Sequence, residues 1–278
     1  MISRVSVPGR VAKIAFLGAW LIITLFPLYW MIITAFKPAG AIFSFPLQYW
    51  PNRISLENFA SLFSKADFGV YMLNSGVVAT VSAAFVTLIS VLSGYIIARF
   101  EFAGKGAVFG AFLITQMIPA FIALGPLYMM MTKLNLVDTR RGLILVYIAM
   151  SIPFSTLMLS GFFANVPDAL EEAAMIDGCS RLTALFRILV PVMIPGIAAA
   201  FIFNFVGCWN ELFLSVTLIN SDSNKTIPAA LNGFITSYNI DWGPMSAAAV
   251  LTVVPTLIMF AFASKYIVQG LTAGAVKG

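Results

Sequence analysis

The chain has 278 residues, of which 60% are hydrophobic and only 10% charged, and its mean hydropathy is +0.97. Soluble domains carry about a quarter charged residues, so this composition excludes an ordinary globular protein and implies an integral membrane protein. The net charge of +5 comes from 16 Lys and Arg scattered over connecting segments; basic loops beside anionic headgroups account for it, and no nucleic-acid partner is expected.

Histidine is absent, which removes the commonest general base and the commonest metal ligand. Cys179 lies in a polar stretch and Cys208 in an apolar run, so no disulfide is expected. No metal, no cofactor of its own and no catalytic residue are expected in this chain, which argues against a membrane-embedded enzyme.

Arg4, Arg10 and Lys13 precede an apolar run from about Ile14 to Phe36. That run is longer than a typical signal core and has no clean small-residue cleavage site, so it reads as a first transmembrane helix. Crossing roughly 30 Å of hydrocarbon at about 1.5 Å per residue takes some twenty apolar residues. Six stretches qualify, near 12–36, 72–98, 107–132, 141–164, 196–219 and 244–268. Pro27, Pro119, Pro126, Pro153 and Pro255 fall inside them, as membrane helices tolerate where neighbours satisfy the freed carbonyls. The expected fold is all-α: one polytopic domain over 1–278, with about six spans.

Between the first two spans, Pro38, Pro46 and Pro51 punctuate a long connection, with Tyr49-Trp50 suited to a membrane interface and a short helix expected over Leu56 to Ser64. Between the last two, the segment from about Asn220 to Trp242 is rich in Asn, Ser and Asp. With the amino terminus inside, nine Lys and Arg fall on the cytoplasmic side and seven outside, a weak bias.

The segment 165–195 is the main polar interruption: Asp168, Glu171, Glu172, Asp177, Arg181 and Arg187 are six of the 27 charged residues. Pro167 suits a first helical turn, and the acids that follow favour its positive end. Gly178 can close this helix in the left-handed conformation, and Ser180 can cap a second, with Leu182, Leu185, Phe186 and Leu189 on one face until Val190-Pro191 stops it. Two short helices bent at a glycine are predicted, and Ala173, Ala174 and Gly178 would let another surface approach the backbone. On composition alone, the same segment also reads as an ordinary loop with interfacial helices.

Glu172-Ala173-Ala174, then Asp177-Gly178, then Ile188 through Val190 to Pro191, thirteen residues after that glycine, resembles the cytoplasmic coupling loop of type I ABC importer permeases. Val190 departs mildly from the commoner Leu. Tyr95 to Phe100, Pro126-Leu-Tyr, Gly161-Phe-Phe, Trp209-Asn210-Glu211 and the ending Tyr266 to Gly278 extend the likeness over essentially the whole chain. Together they resemble the smaller, maltose-transporter-like permease subunit of carbohydrate-uptake systems. The resemblance implies a sugar or oligosaccharide importer of the cytoplasmic (inner) membrane, with both termini and the coupling loop in the cytoplasm. The implied partners are a pair of ATP-binding subunits, a second homologous permease and an extracytoplasmic solute-binding protein.

Within that resemblance, Glu172, Ala173, Ala174, Asp177, Gly178, Arg181 and Pro191 are the candidate ATPase-coupling residues. Glu172 has two candidate anchors, a basic residue on the partner or Arg181 or Arg187 of its own loop. Gly104-Lys105 lacks the rest of a phosphate loop, so ATP and Mg belong to the partner. The tail, with Gln269 and Gly270, is either a frayed end or a second contact with the ATPase. Glu211, beside Trp209 and Asn210, has two readings as well. It lines the sugar pathway, with Trp209 as a stacking face, or it is a helix-end carboxylate paired with an amide. An ion-coupled transporter or channel, the rival class, would usually carry more ionisable residues within its spans than Glu211 alone.

Overall fold

The computed structural model describes residues 7–234 and 240–275, with side chains for 9–64, 66–234 and 240–262. The helices are α1 (Val7–Ala35), α2 (Glu57–Lys65), α3 (Phe68–Arg99), α4 (Lys105–Met117), α5 (Leu124–Lys133), α6 (Arg140–Ala164), α7 (Ala169–Ile176), α8 (Arg181–Ala184), α9 (Val190–Val192), α10 (Ile194–Trp209), α11 (Phe213–Leu218), α12 (Ile227–Asn232) and α13 (Trp242–Ala275). No β-strand occurs among the described residues.

Among the described residues, four segments are long and apolar enough to cross a membrane alone: Gly9–Ala35, Phe68–Arg99, Arg140–Ala164 and Trp242–Phe262. Two bent pairs raise the count to as many as six if each pair is one span, and they change the predicted boundaries. The span predicted at 107–132 is α4 followed by a short turn and α5, bent by 97°. Ile118 takes an extended backbone before Pro119, a residue whose ring disfavours a helical neighbour on its amino side. The second pair is Arg181–Val192 with Ile194–Trp209, bent by 79°. The span predicted at 196–219 is interrupted at a further place: α10 ends at Trp209 and α11 begins at Phe213.

Packing divides the chain into two compact units, Met1–Phe68 with Gly233–Val254, and Gly69–Asn232 with Pro255–Gly278. In the first, α1 turns Phe16, Trp20, Ile22 and Ile23 away from the protein, as a lipid-facing helix does. Asn58 of α2 donates to the carbonyls of Thr34, Ala35 and Lys37 at 3.3, 3.0 and 2.7 Å, satisfying acceptors that the end of α1 leaves open. Lys37 is buried beneath Trp30, its Nζ 4.6 Å from the ring centroid and 2.5 Å from the Gln48 carbonyl, and burial lowers its pKa. The helix expected over Leu56 to Ser64 is present as α2, one residue further on.

The second unit is built around α3. Ser75, Ala79, Ser82, Val86 and Ser90 recur at helical spacing and are buried, so small side chains let neighbouring helices approach closely. A Cβ on Gly94 would stand 3.0 Å from the Ser160 amide of α6, and Ser93 bonds Thr156 at 2.8 Å. On its other side α6 meets α10, where Asn204 donates to Ser155 at 2.9 Å and Gly196 packs under the Phe162 ring.

Candidate functional site

The polar loop folds from local rules. Asp168 stands at the N-cap of α7, although its carboxylate reaches Arg99 instead of capping the amides. At the other end Gly178 has φ +85°; its N–H donates to Met175 O at 3.1 Å, and Cys179 N–H donates to Ala174 O at 2.9 Å. This pair of bonds is a Schellman closure, and the left-handed residue within it favours glycine. Ser180 then caps α8, its Oγ accepting from Thr183 N at 3.3 Å. The two-helix prediction, with its glycine bend and serine cap, matches this geometry.

Pro191 does not stop the second helix. Val190 N–H donates to Leu185 O, five residues back, so 185–189 form a π turn, and the chain runs on through Pro191 to Val192. A proline offers no N–H to the carbonyl four residues earlier, and widening the helix ahead of it relieves the clash. The break falls at Met193, before Pro195.

The predicted apolar face also divides. Leu185 and Leu189 are buried with Val91, Tyr95, Leu159, Phe163 and Met193, whereas Leu182 and Phe186 are exposed. The loop is thus packed onto the ends of α3 and α6 and still presents apolar side chains outward. Ile176 is 85% exposed beside the bend, and nothing lies within 4 Å of the position a Gly178 Cβ would take.

Among the proposed coupling residues, Glu172, Ala173, Asp177, Gly178, Arg181 and Pro191 are exposed. Ala174 is buried against the protein, so it does not belong to the open face. Among the described residues Glu172 makes no ion pair with Arg181 or Arg187. Arg181 instead lies over the Phe100 ring, 4.9 Å from its centroid.

From sequence, Glu171 is one of the acids at the start of the loop helix, and Tyr95 and Arg99 belong to a stretch that carries the family resemblance; none of the three is a candidate site residue. Glu171 is 6% exposed; it accepts a hydrogen bond from the Tyr95 hydroxyl, and its Oε2 lies 3.6 Å from Arg99 Nε. Arg99 also pairs with Asp168 and donates to Val166 O at 2.6 Å. A signal was available: Tyr95 and Arg99 are one turn apart at the end of a span, on one helix face.

The second candidate site is resolved differently. The Glu211 carboxylate accepts from the amides of Leu214 and Ser215 at 3.0 and 3.1 Å and from the Tyr147 hydroxyl at 3.0 Å. It thereby satisfies open amides at the start of α11, the helix-end alternative. Trp209 is 2% exposed and stacks on Phe205 one turn back, with centroids 5.6 Å apart, so its ring is no open platform for a sugar. Asn210 is exposed and donates to Val206 O at 2.9 Å. Cys179 and Cys208 are both free. Gln269 and Gly270 lie in the last helix, and their side chains fall outside the described residues.

A third polar cluster stands at the opposite end of α3. Asp138 has a left-handed backbone, φ 59°, and its Oδ1 accepts from Asn220 N, Ser221 N and Ser221 Oγ, each at 2.9 Å. Burial alone would raise its pKa, but these donors outweigh it and hold the carboxyl below its usual range. Asn74 donates to the carbonyls of Ser223 and Lys225 at 2.9 Å and accepts from Arg140 at 3.0 Å, while Ile227 N–H donates to Ser75 Oγ at 2.8 Å. The segment 218–227 is therefore fastened to the beginnings of α3 and α6.

Comparison with known proteins matches this architecture. The profile of the binding-protein-dependent transport system inner membrane component family matches residues 90–271. The diacetylchitobiose uptake system permease protein DasC of Streptomyces coelicolor is 35% identical over 271 residues, covering 98% of this chain and 96% of the relative. The inner membrane ABC transporter permease protein YcjP of Escherichia coli is 34% identical over 272 residues, covering 97% of each. A crystallised bacterial ABC transporter involved in the import of the acidic polysaccharide alginate contains a chain that superposes with a TM-score of 0.84 at 18% identity, over 96% of this chain and 99% of the other. The chain belongs to the binding-protein-dependent transport system inner membrane component family, as an ABC transporter permease.

Proposed function

We propose that this chain is the membrane-spanning subunit of an ATP-driven, binding-protein-dependent importer of a sugar or oligosaccharide, and that the bend at Gly178 is where its ATPase docks. The observation that carries the reading is the outward face of the loop. Exposed Ile176 and Leu182 flank an open left-handed glycine, with unpaired Glu172 one helix turn before Ile176. Exposed apolar residues on a segment rich in charge fit a protein partner, and a free carboxylate beside them fits a basic residue of that partner.

The sugar reading is supported by a relative named for diacetylchitobiose uptake and a fold neighbour from an alginate importer. In this scheme ATP and Mg stay on a pair of ATP-binding subunits. A second, homologous permease completes the pathway, and an extracytoplasmic solute-binding protein delivers the substrate. Both termini and the loop 165–195 face the cytoplasm, and Gln269 and Gly270 provide a second ATPase contact.

Copurification tests the docking surface. The wild-type complex is expected to retain its ATPase through purification, and Glu172→Ala, Ile176→Asp and Gly178→Asp to release it. ATPase retained by all three variants would contradict the assignment.

A further inference from the structure

Glu171 and Glu172 are adjacent acids with opposite surroundings. Glu172 faces outward, while Glu171 turns into the protein and meets Tyr95 and Arg99, both on α3. We propose that Tyr95, Arg99 and Glu171 form a transmission joint that carries movement of the docking loop into α3, making Glu171 a positioning residue for transport. The inference rests on the docking surface proposed above and adds a path leading away from it.

Arg99 holds the loop at three successive places, the Val166 carbonyl, the Asp168 carboxylate and Glu171. Phe100 extends the grip, standing edge-on to Tyr95 with centroids 5.6 Å apart and carrying Arg181 of α8 on its face. Leu185 and Leu189 of the π turn pack with Tyr95 in the same apolar cluster. A displaced α7 or α8 therefore meets α3 through charge, hydrogen bonds and packing together. One member of the joint is not fully engaged: Arg99 Nε is buried without a hydrogen-bond partner, 3.6 Å from Glu171, beside a cavity of about 240 Å³ that both residues line. A partner pressing on the loop has room to close that gap.

What α3 does with the movement follows from its length. Arg99 and Asn74 are 25 residues apart on one helix, about 37 Å at 1.5 Å per residue. Asn74 and Ser75 hold the backbone of 223–227 at the far end. A rigid helix fastened at both ends links the docking loop to the opposite face of the permease, in addition to the spans that directly flank the loop.

The test is the number of sugar molecules imported per ATP hydrolysed by the assembled complex in lipid vesicles supplied with sugar-loaded binding protein. Glu171→Gln keeps the size and an acceptor for Tyr95 but removes the charge facing Arg99; Tyr95→Phe removes only the hydroxyl. Both variants are expected to assemble and to hydrolyse ATP, with sugar imported per ATP several-fold lower. The double variant is expected to lose less than the product of the two single losses, because both changes act on one network centred on Glu171. An unchanged ratio overturns the joint. So do losses that multiply in the double variant, and so does failure of both single variants to assemble, which would make the contact a folding element alone. A wild type that engages no ATPase overturns the docking assignment itself, whereas normal wild-type coupling with equally coupled variants overturns only the joint.

Discussion

The Tyr95 hydroxyl, near the end of α3, donates to the carboxylate of Glu171 on α7, a residue 76 positions further along the chain. Burial makes the contact consequential. A carboxylate removed from water costs several kcal/mol unless it is paired, and truncating one member of a buried pair leaves the other uncompensated. Glu171→Ala is therefore expected to destabilise the permease by about 1–3 kcal/mol, by stranding the buried Tyr95 hydroxyl and removing one of the two carboxylates that face Arg99. Glu172→Ala should stay within about 0.5 kcal/mol of wild type, as an exposed substitution does. Thermal unfolding of the two detergent-solubilised variants separates them; equal losses would contradict the assignment of inner and outer acids.

At Gly178 the space is open and the backbone alone imposes a cost. Gly178→Ala should lose about 1–2 kcal/mol by forcing a Cβ into a left-handed residue, and Gly178→Asn should lose less, since asparagine visits that region more readily. Melting temperatures ordered glycine, asparagine, alanine are expected. An alanine variant as stable as wild type would mean that the bend is not held in this conformation.

These two positions show what a sequence can and cannot disclose. Gly178 and Ser180 were legible because a Schellman closure and an N-cap are local chemistry, written within a few residues of where they act. Which of two neighbouring acids faces inward depends on the rotation of α7 against Arg99, more than sixty residues away, and no local pattern carries that. Pro191 misled for a related reason: the rule that proline ends a helix is sound, but a π turn absorbed the clash and moved the break to Met193. Trp209 and Glu211 were marked because polar and aromatic groups in an apolar run are costly. That cost is met inside the protein, by Phe205, by two backbone amides and by Tyr147.

Glu211 is accordingly expected to matter for stability and not for sugar affinity. Glu211→Ala should cost about 1–2 kcal/mol through loss of its hydrogen bonds to the start of α11. Glu211→Gln should import sugar with an unchanged half-saturating concentration. A large rise in that concentration for the glutamine variant, with stability preserved, would return Glu211 to the pathway.

Asp138 makes one fastening pH-dependent. Its folded pKa is lowered, so its contribution to stability is fully present above the unfolded value of about 3.8 and is lost as the pH falls through the folded value. Asp138→Asn keeps a residue suited to φ 59° but cannot accept from the Ser221 and Asn220 donors as a charged group. Wild type should be the more stable near neutral pH, and the difference should shrink as the pH is taken below about 4. A difference that grows on acidification would reverse the sign and contradict the assignment.

The measurement that bears most directly on the account is ATP hydrolysis by the complex assembled in lipid, with and without sugar-loaded binding protein, comparing wild type with Glu172→Ala. The account predicts that loaded binding protein stimulates the wild type and that Glu172→Ala, folded and inserted, loses that stimulation together with its ATPase. A Glu172→Ala complex that keeps its ATPase and responds as wild type does would contradict the docking surface at the Gly178 bend.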